Sequence, residues 1–424
     1  MASVIPIPAM QDLKVTLQES VLVFPSQQTE KKALFLSNID QILNYNIPTA
    51  HFFKASPDFP PEIVAKRLKI ALEKVLVPYD FMAGRFKLNH ESGRLEIDCN
   101  AAGAGFVVAS SEYSLDELGD FVYPNLGFRQ LAVTGFKCGG FAIGMCMNHA
   151  LFDGIGAQTF IENLATQAFD DKPLSVTPCH NRHLLAARSP PHAEFQHPEF
   201  FKPDTSLSGP PVFDCKREEL DYKIFKLTPT AINFLKDKAK DETISATTKI
   251  TSYNVVAALI WRCKALSCGA DYNKERVSTL LNVIDIRSRL NPPLPSSYCG
   301  NAVLVAYASA KCMDLEEWPF SKLVKMISEG PSRVSDEYAK SVIDWLEIHK
   351  GLPCGEYMVS SWLRLRFDQV VYPWGKPVYS GPVVSHRKDI CWIFPDNDDG
   401  INALVSLPAA EMEKFESYFH DFFP

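Results

Sequence analysis

The run FAIGMCMNHALFDGIGAQ at positions 141–158 constrains this chain more than any other stretch. Read as a strand, it puts Phe141, Ile143, Met145, Met147 and His149 on one side. Ala142, Gly144, Cys146, Asn148 and Ala150 fall on the other. Such a strand must lie close to a neighbour on its small side and build the wall of a core with its bulky side. His149 ends the bulky side where the apolar character stops. Asp153-Gly154 and Gly156 then break the strand, and Ala157 to Ala165 read as a helix. A histidine at a strand end, facing a cleft and followed by a glycine-rich turn, is well placed to move a proton. The same pattern also suits a hydrogen-bonded core histidine, and the HxxxD spacing alone does not separate the two.

At 424 residues the chain exceeds one typical core, so two domains of about 200 residues are expected. No run of about 18 apolar residues occurs, which excludes a transmembrane helix. The start, MASVIPIPAMQDLKV, lacks the basic, apolar and small-residue regions of a secretory signal. A net charge of -7 argues against nucleic acid or an anionic membrane as the main partner, while leaving room for a local basic patch. The 11 cysteines are odd in number, scattered and free of CxxC pairs, as expected of a reduced, cytoplasmic protein with no zinc site. Cys146 and Cys299 read as small buried hydrophobes rather than nucleophiles.

Both halves of the chain mix strands with helices. In the first, Thr49 to Phe53 is a strand and Phe35 to Asp40 a turn region. A helix opens at Pro60-Pro61, with Val64, Leu68, Ala71, Leu72 and Val75 on its buried face. Arg129 to Lys137 and Gly140 to His149 form a hairpin about Cys138-Gly139-Gly140. The proline-dense stretch 189–213 has no periodicity and reads as a long crossover between a first domain, 1–188, and a second, 214–424. The second half begins with a strand at Tyr222 to Leu227, and Thr228-Pro229 opens a helix. A helix from about Thr251 to Ala265, strands at Val277 to Asp285, Asn301 to Ala308, Met358 to Trp362, Asp389 to Ile393 and Ala403 to Leu407, and a closing helix follow.

Several stretches together resemble the plant BAHD family of acyl-CoA-dependent acyltransferases. His149-Ala150-Leu151-Phe152-Asp153-Gly154 matches its HxxxDG, with Gly156-Ala157 and Phe160 in the helix beyond. Pro78-Tyr79 with Ala83-Gly84-Arg85, and Thr251-Ser252-Tyr253 through Trp261-Arg262, resemble two further motifs. Asp285-Ile286-Arg287-Ser288-Arg289, Pro292-Pro293 and Tyr298-Cys299-Gly300-Asn301 match another. Ser361-Trp362 and Trp374-Gly375-Lys376-Pro377 match the distal signature, and the likeness runs over about residues 14–420. Val371-Tyr372-Pro373-Trp374-Gly375 departs from the family's Asp-Phe-Gly-Trp-Gly, so the geometry of that loop is open. Leu164 stands where relatives often place Trp.

The resemblance implies two similar α/β domains of mixed sheets with flanking helices, like chloramphenicol acetyltransferase, and a channel at their interface. It implies a monomer that uses acyl-CoA as co-substrate and holds no permanent cofactor. A neutral imidazole, with a reference pKa of about 6.5, suits removal of an alcohol proton near neutrality, and His149 is the candidate base. No acyl-enzyme is then required. Asp153 could orient that imidazole; the resemblance instead pairs it with Arg287, pinning the HxxxD turn to the second half. By the same likeness Ser360 and Trp362 face the oxyanion, and Trp374, Gly375 and Gly154 support the site. Ser252 and Tyr253 lie at a coenzyme-contacting position, where a helix N-cap is the plainer reading of Ser252.

Shikimate and quinate transferases of the family carry an arginine shortly before the strand of Ser360. The run WLEIHKGLPCGEY has only Lys350, which counts against a carboxylated acceptor. Leu34 to Gln41 resembles the branch acting on hydroxycinnamoyl-CoA with fatty alcohols or hydroxy fatty acids. The expected function is transfer of a hydroxycinnamoyl or other aromatic acyl group to an alcohol. An N-acyltransferase acting on a polyamine, and a non-catalytic relative assisting fatty-acid elongation, are the alternatives.

Overall fold

The computed structural model describes residues 3–5, 12–123, 125–170, 172–203, 219–240, 250–268, 273–383, 387–396 and 398–424. Two large mixed sheets organise it. Their strands, in chain order, are β1 (Ser3–Ile5), β2 (Val15–Val23), β3 (Asn46–Phe53), β4 (Ala104–Ser111), β5 (Val133–Phe136) and β6 (Phe141–Asn148). Then come β7 (Asp221–Leu227), β8 (Val277–Asp285), β9 (Val303–Lys311), β10 (Tyr357–Ser361), β11 (Tyr379–Pro382), β12 (Ile390–Pro395) and β13 (Ile401–Leu407). The first sheet runs β11-β3-β6-β5-β4-β2, and the second β1-β7-β13-β12-β10-β8-β9.

The alternation of β6 is realised as two packed faces. Its Phe141 and Ile143 join a buried cluster with Val64, Leu68 and Val75 of helix α1 (Pro61–Val75) and Phe160 of helix α2 (Gly154–Gln167). Ala142 faces the other way, with Ala50, Phe52 and Phe128. The small side does lie close to a neighbour: a Cβ on Gly144 would sit 2.1 Å from the Leu131 carbonyl oxygen. In the second half, helix α3 (Ser252–Ser267) is buried on nearly every side, as its unbroken apolar run requires. It packs with the closing helix, Ala409–Asp421, against one face of the second sheet. The opposite face, through Ile224, Trp392 and Phe394, meets Ile47 and Leu126 of the first half.

The halves exchange strands. β11 pairs antiparallel with β3 in the first sheet, and β1 pairs with β7 in the second. The sequence gives β11 no strand signal, because Ser380-Gly381-Pro382 reads as a turn; proline is tolerated there because β11 is an edge strand. Asn38–Ile42, expected as a turn, is a short helix capped by Ser37 in a reciprocal box with Asp40. The first arm of the hairpin is shorter than expected, since Leu126–Gln130 coils into a 3-10 turn before β5. A helix absent from the sequence reading, α4 (Asp336–His349), holds down the described part of the stretch expected to be the crossover, 189–213, of which residues 204–213 lie outside the described set. Asp344 accepts from the backbone N–H of Arg188 and of His192, both at 2.8 Å. Ser341, His197 and Glu199 line up like a nucleophile triad, yet Ser341 is sealed and its Oγ accepts from the amides of Glu194 and Phe195. That cluster is a latch.

Candidate active site

His149 stands one residue beyond β6, in the turn that leads to α2, and its side chain is partly exposed. The turn is held by local bonds. The His149 N–H donates to the Tyr45 carbonyl at 2.8 Å, and Asn148 Oδ1 accepts from Ala150 N at 2.9 Å. Asp153 caps α2, accepting from Gly156 N at 3.0 Å. Gly154 matters for space: a Cβ there would lie 2.7 Å from Leu365 Cδ1, on the loop after β10.

Among the described residues one side chain hydrogen-bonds the imidazole. Nδ1 lies 3.0 Å from Asn301 Oδ1. The Asn301 amide is oriented by its other contacts, since Nδ2 donates to the His149 carbonyl at 2.8 Å and to Asp40 Oδ1 at 2.7 Å. A flipped amide would set oxygen against a carbonyl and a carboxylate, so Oδ1 is the acceptor and Nδ1 carries the proton. Nε2 is left with the free lone pair. Asp40 is itself held by the Ser37 N–H and hydroxyl, both at 2.8 Å, and by Arg182 Nη1 at 2.9 Å. Arg182 is fully buried and also donates to the Leu151 carbonyl. A chain of contacts thus runs Arg182, Asp40, Asn301, His149.

Burial pushes the His149 imidazole below the ordinary histidine pKa; hydrogen bonding to its own carbonyl, the Asp153 charge, Asn301 and Asp40 offset part of that. The ring is therefore neutral near pH 7, the form a base requires. The Tyr45 ring lies 5.3 Å from it, with the Arg387 guanidinium 5.8 Å from the centroid of that same Tyr45 ring. Burial pushes the Tyr45 phenol up to about 12, so that hydroxyl stays protonated.

Asp153 turns to the second half of the chain. Its oxygens take Arg287 Nη1 at 2.8 Å and Nη2 at 2.9 Å, and Oδ2 accepts from Ala302 N at 2.9 Å. Arg287 also donates to Gly300 O at 3.0 Å and to Asp285 at 3.1 Å. Among the described residues no hydrogen bond joins Asp153 to His149. The imidazole is oriented by Asn301 instead.

The other sequence-derived positions are spread along the seam. Ser360 lies on β10 opposite Trp392 of β12. Trp362 packs edge-on against Phe367 and Trp392, with centroids at 5.5 and 5.2 Å, and Phe367 in turn meets His51 of β3. Among the described residues no hydrogen bond or ring contact links Ser360 or Trp362 to His149. Trp374 stacks on Tyr372 and meets Phe141, at the start of β6, edge-on at 6.0 Å. Gly375 closes that turn with φ +101°, a conformation only glycine adopts without strain. Thr251, not Ser252, caps α3, and Ser252 is the partly exposed first residue of the helix. The Tyr253 hydroxyl is spent inside the second half, donating to Asn282 Oδ1 at 2.7 Å.

Sequence reasoning gave no role to Asn301, Asp40 or Arg182. The first was visible only as the end of a motif, the second as part of a turn. Nothing in the sequence marked Arg182. Among the described residues no group of His, Cys, Asp and Glu could hold a metal ion, and no helix is long and apolar enough to cross a membrane.

The model of the Transferase family matches residues 13–422. Over 438 residues, covering 97% of each chain, the sequence is 51% identical to Acyltransferase GLAUCE of Arabidopsis thaliana. It is 32% identical to the Omega-hydroxypalmitate O-feruloyl transferase of the same plant, over 96% of this chain and 93% of that one. The crystal structure of vinorine synthase superposes with a TM-score of 0.74 at 22% identity, over 94% of this chain and 96% of the other.

Proposed function

The chain belongs to the Transferase family of BAHD acyltransferases, enzymes that use acyl-CoA donors, and from that premise we propose that it moves a hydroxycinnamoyl or other aromatic acyl group from CoA to an alcohol, with His149 as general base. The observation that carries this reading is the 3.0 Å contact of His149 Nδ1 with the oriented Oδ1 of Asn301, which favours a proton on Nδ1 and so leaves Nε2 as the proposed proton acceptor. In the reaction Nε2 removes the hydroxyl proton as the alcohol oxygen bonds to the thioester carbonyl carbon. The tetrahedral oxyanion collapses, the C–S bond breaks, and the proton on Nε2 passes to the departing thiolate. The products are ester and free CoA, and no acyl-enzyme forms. The Ser360 hydroxyl and the Trp362 indole N–H are the donors proposed to face the oxyanion.

The assay offers purified protein a panel of acyl-CoAs with alcohols and with polyamines, and follows free thiol. Wild type should release thiol with at least one alcohol, and His149→Gln should be slower by about 10²-fold or more. Equal turnover by His149→Gln removes the base assignment. Turnover with polyamines alone would make the enzyme an N-acyltransferase. No turnover with any pair would favour a non-catalytic, binding role.

A further inference from the structure

The first sheet is interrupted beside His149. β5 has four residues, whereas its neighbours β4 and β6 have eight each. β5 pairs with β4 only over Val108 to Ser111, and with β6 only over Phe141 to Ile143. Residues 104–107 of β4 and 145–148 of β6 therefore flank a gap where a longer β5 would lie, and a cavity of about 530 Å³ occupies it. Its lining includes Asn148 and Leu151, on either side of His149 in the sequence. The Gly144 N–H donates to the Ala132 carbonyl at 2.9 Å. Two residues on, strand alternation aims the Cys146 N–H and C=O at the same side, into the gap.

The chain that would fill this gap turns away one residue before β5. The Ala132 N–H donates to the Thr134 hydroxyl at 3.1 Å rather than along the ladder, and the Leu131 carbonyl crosses the bare face of Gly144. Local bonds hold the 3-10 turn Leu126–Gln130: the Gly127 N–H donates to Asn125 Oδ1 at 2.8 Å and the Phe128 N–H to the Asn125 carbonyl at 3.0 Å.

Carrying the register of β5 backwards fixes where each residue would go. Leu131 would pair with Met145, Gln130 with Cys146, Arg129 with Met147 and Phe128 with Asn148. Leu131 would join Val133 and Met145 on the side of α1 and α2, an apolar place for an apolar residue. Phe128 and Gln130 would share the opposite side with Ala142 and Cys146, where Phe128 is already buried and Cys146 is exposed. Arg129 alone is misplaced. It is exposed now. In the strand it would face the helices, level with Met147, and among the described residues none that lines the cavity is acidic. An unpaired charge driven into that space is costly.

We propose that residues 126–132 form a strap that completes β5 when seated in the gap and shuts the cavity beside His149, and that the charge of Arg129 holds this strap out. The structure shows the open form; neutralising Arg129 favours the closed one. Closure removes the approach to His149 through the first sheet.

Amide hydrogen exchange tests this on wild type, Arg129→Leu and Arg129→Lys, each with a melting curve as the check on folding. In Arg129→Leu the Cys146 amide and residues 104–107 should exchange at least about tenfold more slowly than in wild type, measured against the amides of β3, whose pairing does not change. Arg129→Lys keeps the charge and should exchange as wild type does. Wild-type exchange at Cys146 in folded Arg129→Leu, or equal slowing in the lysine variant, overturns the proposal. Should Arg129→Leu melt early, Arg129→Met, neutral and unbranched, takes its place under the same criteria. The exchange readout needs no turnover. Slowed exchange with no thiol release from any substrate pair leaves the strap standing and removes the transferase reading. Thiol release with unchanged exchange does the reverse.

Discussion

Replacing Asp153 by Asn should damage stability first and chemistry only as a consequence. The carboxylate is 2% exposed and the arginine it pairs with 7%. Breaking a buried pair by removing one member costs about 3–5 kcal/mol, because the other charge is left without compensation. Here Arg287 keeps Asp285 at 3.1 Å and the Gly300 carbonyl at 3.0 Å, so the low end applies. Asn also remains a good N-cap for α2, which spares the roughly 1 kcal/mol that Ala would add. The expected loss is about 3 kcal/mol, or a fall in Tm of roughly 6–12 °C at about 2–4 °C per kcal/mol. The assay pairs calorimetric melting with kcat/KM measured well below the transition, for Asp153→Asn, Arg287→Leu and the double variant. The double variant strands no charge at this pair, so it should lose less than the sum of the singles, with a coupling of about 0.5–3 kcal/mol. If Asp153→Asn melts within about 2 °C of wild type yet loses more than about 10²-fold in kcat/KM, the carboxylate acts on the imidazole and the structural account is wrong.

Three further outcomes are expected. The acid limb of kcat/KM should fall below the ordinary histidine value of about 6.5, because burial depresses His149; Asn301→Ala removes a bond that raises that pKa, so its limb should shift lower still, and a wild-type limb at pH 7 or above would contradict this. Burial also holds His51 and His180 down to about 4. Below about pH 6.5 the unfolded chain then binds more protons than the folded one, so stability is complete above that pH and drains away toward pH 4, by at most about 3 kcal/mol for each histidine; His51→Gln should flatten the curve of Tm against pH, and an unchanged curve would remove His51 as a source. Gly144→Ala drives a Cβ to 2.1 Å from the Leu131 backbone, whereas Gly154→Ala meets only the movable end of Leu365 at 2.7 Å. The first should therefore cost at least the 1–3 kcal/mol typical of overpacking and the second about 1 or less, as read by denaturant titration.

What the sequence made legible follows from the range of the interactions involved. The period of two in β6, the glycine-rich turn after it and the cap of α2 are local, and they placed His149 within one residue of where the strand ends. Helix α4 is legible in the sequence too, since Ala339, Val342, Ile343 and Leu346 keep helical spacing behind the Ser335 cap. The orienting contacts of His149 were not legible, because they join residues near positions 40, 149, 182 and 301. Asp40 and Asn301 are ordinary polar residues until the fold buries them against each other. β11 escaped for the same reason, since a four-residue edge strand with Ser-Gly-Pro earns its place only through β3.

The strand exchange gives the site a particular dependence. His149 belongs to the first sheet, but its orienting amide, the arginine that pins Asp153 and the turn that packs on Phe141 all come from after the crossover. No local element can hold the imidazole alone. Separation of the two sheets would free Asn301 from the ring and unpair Asp153 while leaving most of each core in place, because the α3 cluster lies wholly in the second half and the α1–α2 cluster draws only Cys299, Phe367, Val370 and Tyr372 of its buried members from there. Activity should then disappear ahead of secondary structure as denaturant is raised. Loss of both at one concentration would show instead that the seam and the two cores unfold as a single cooperative unit.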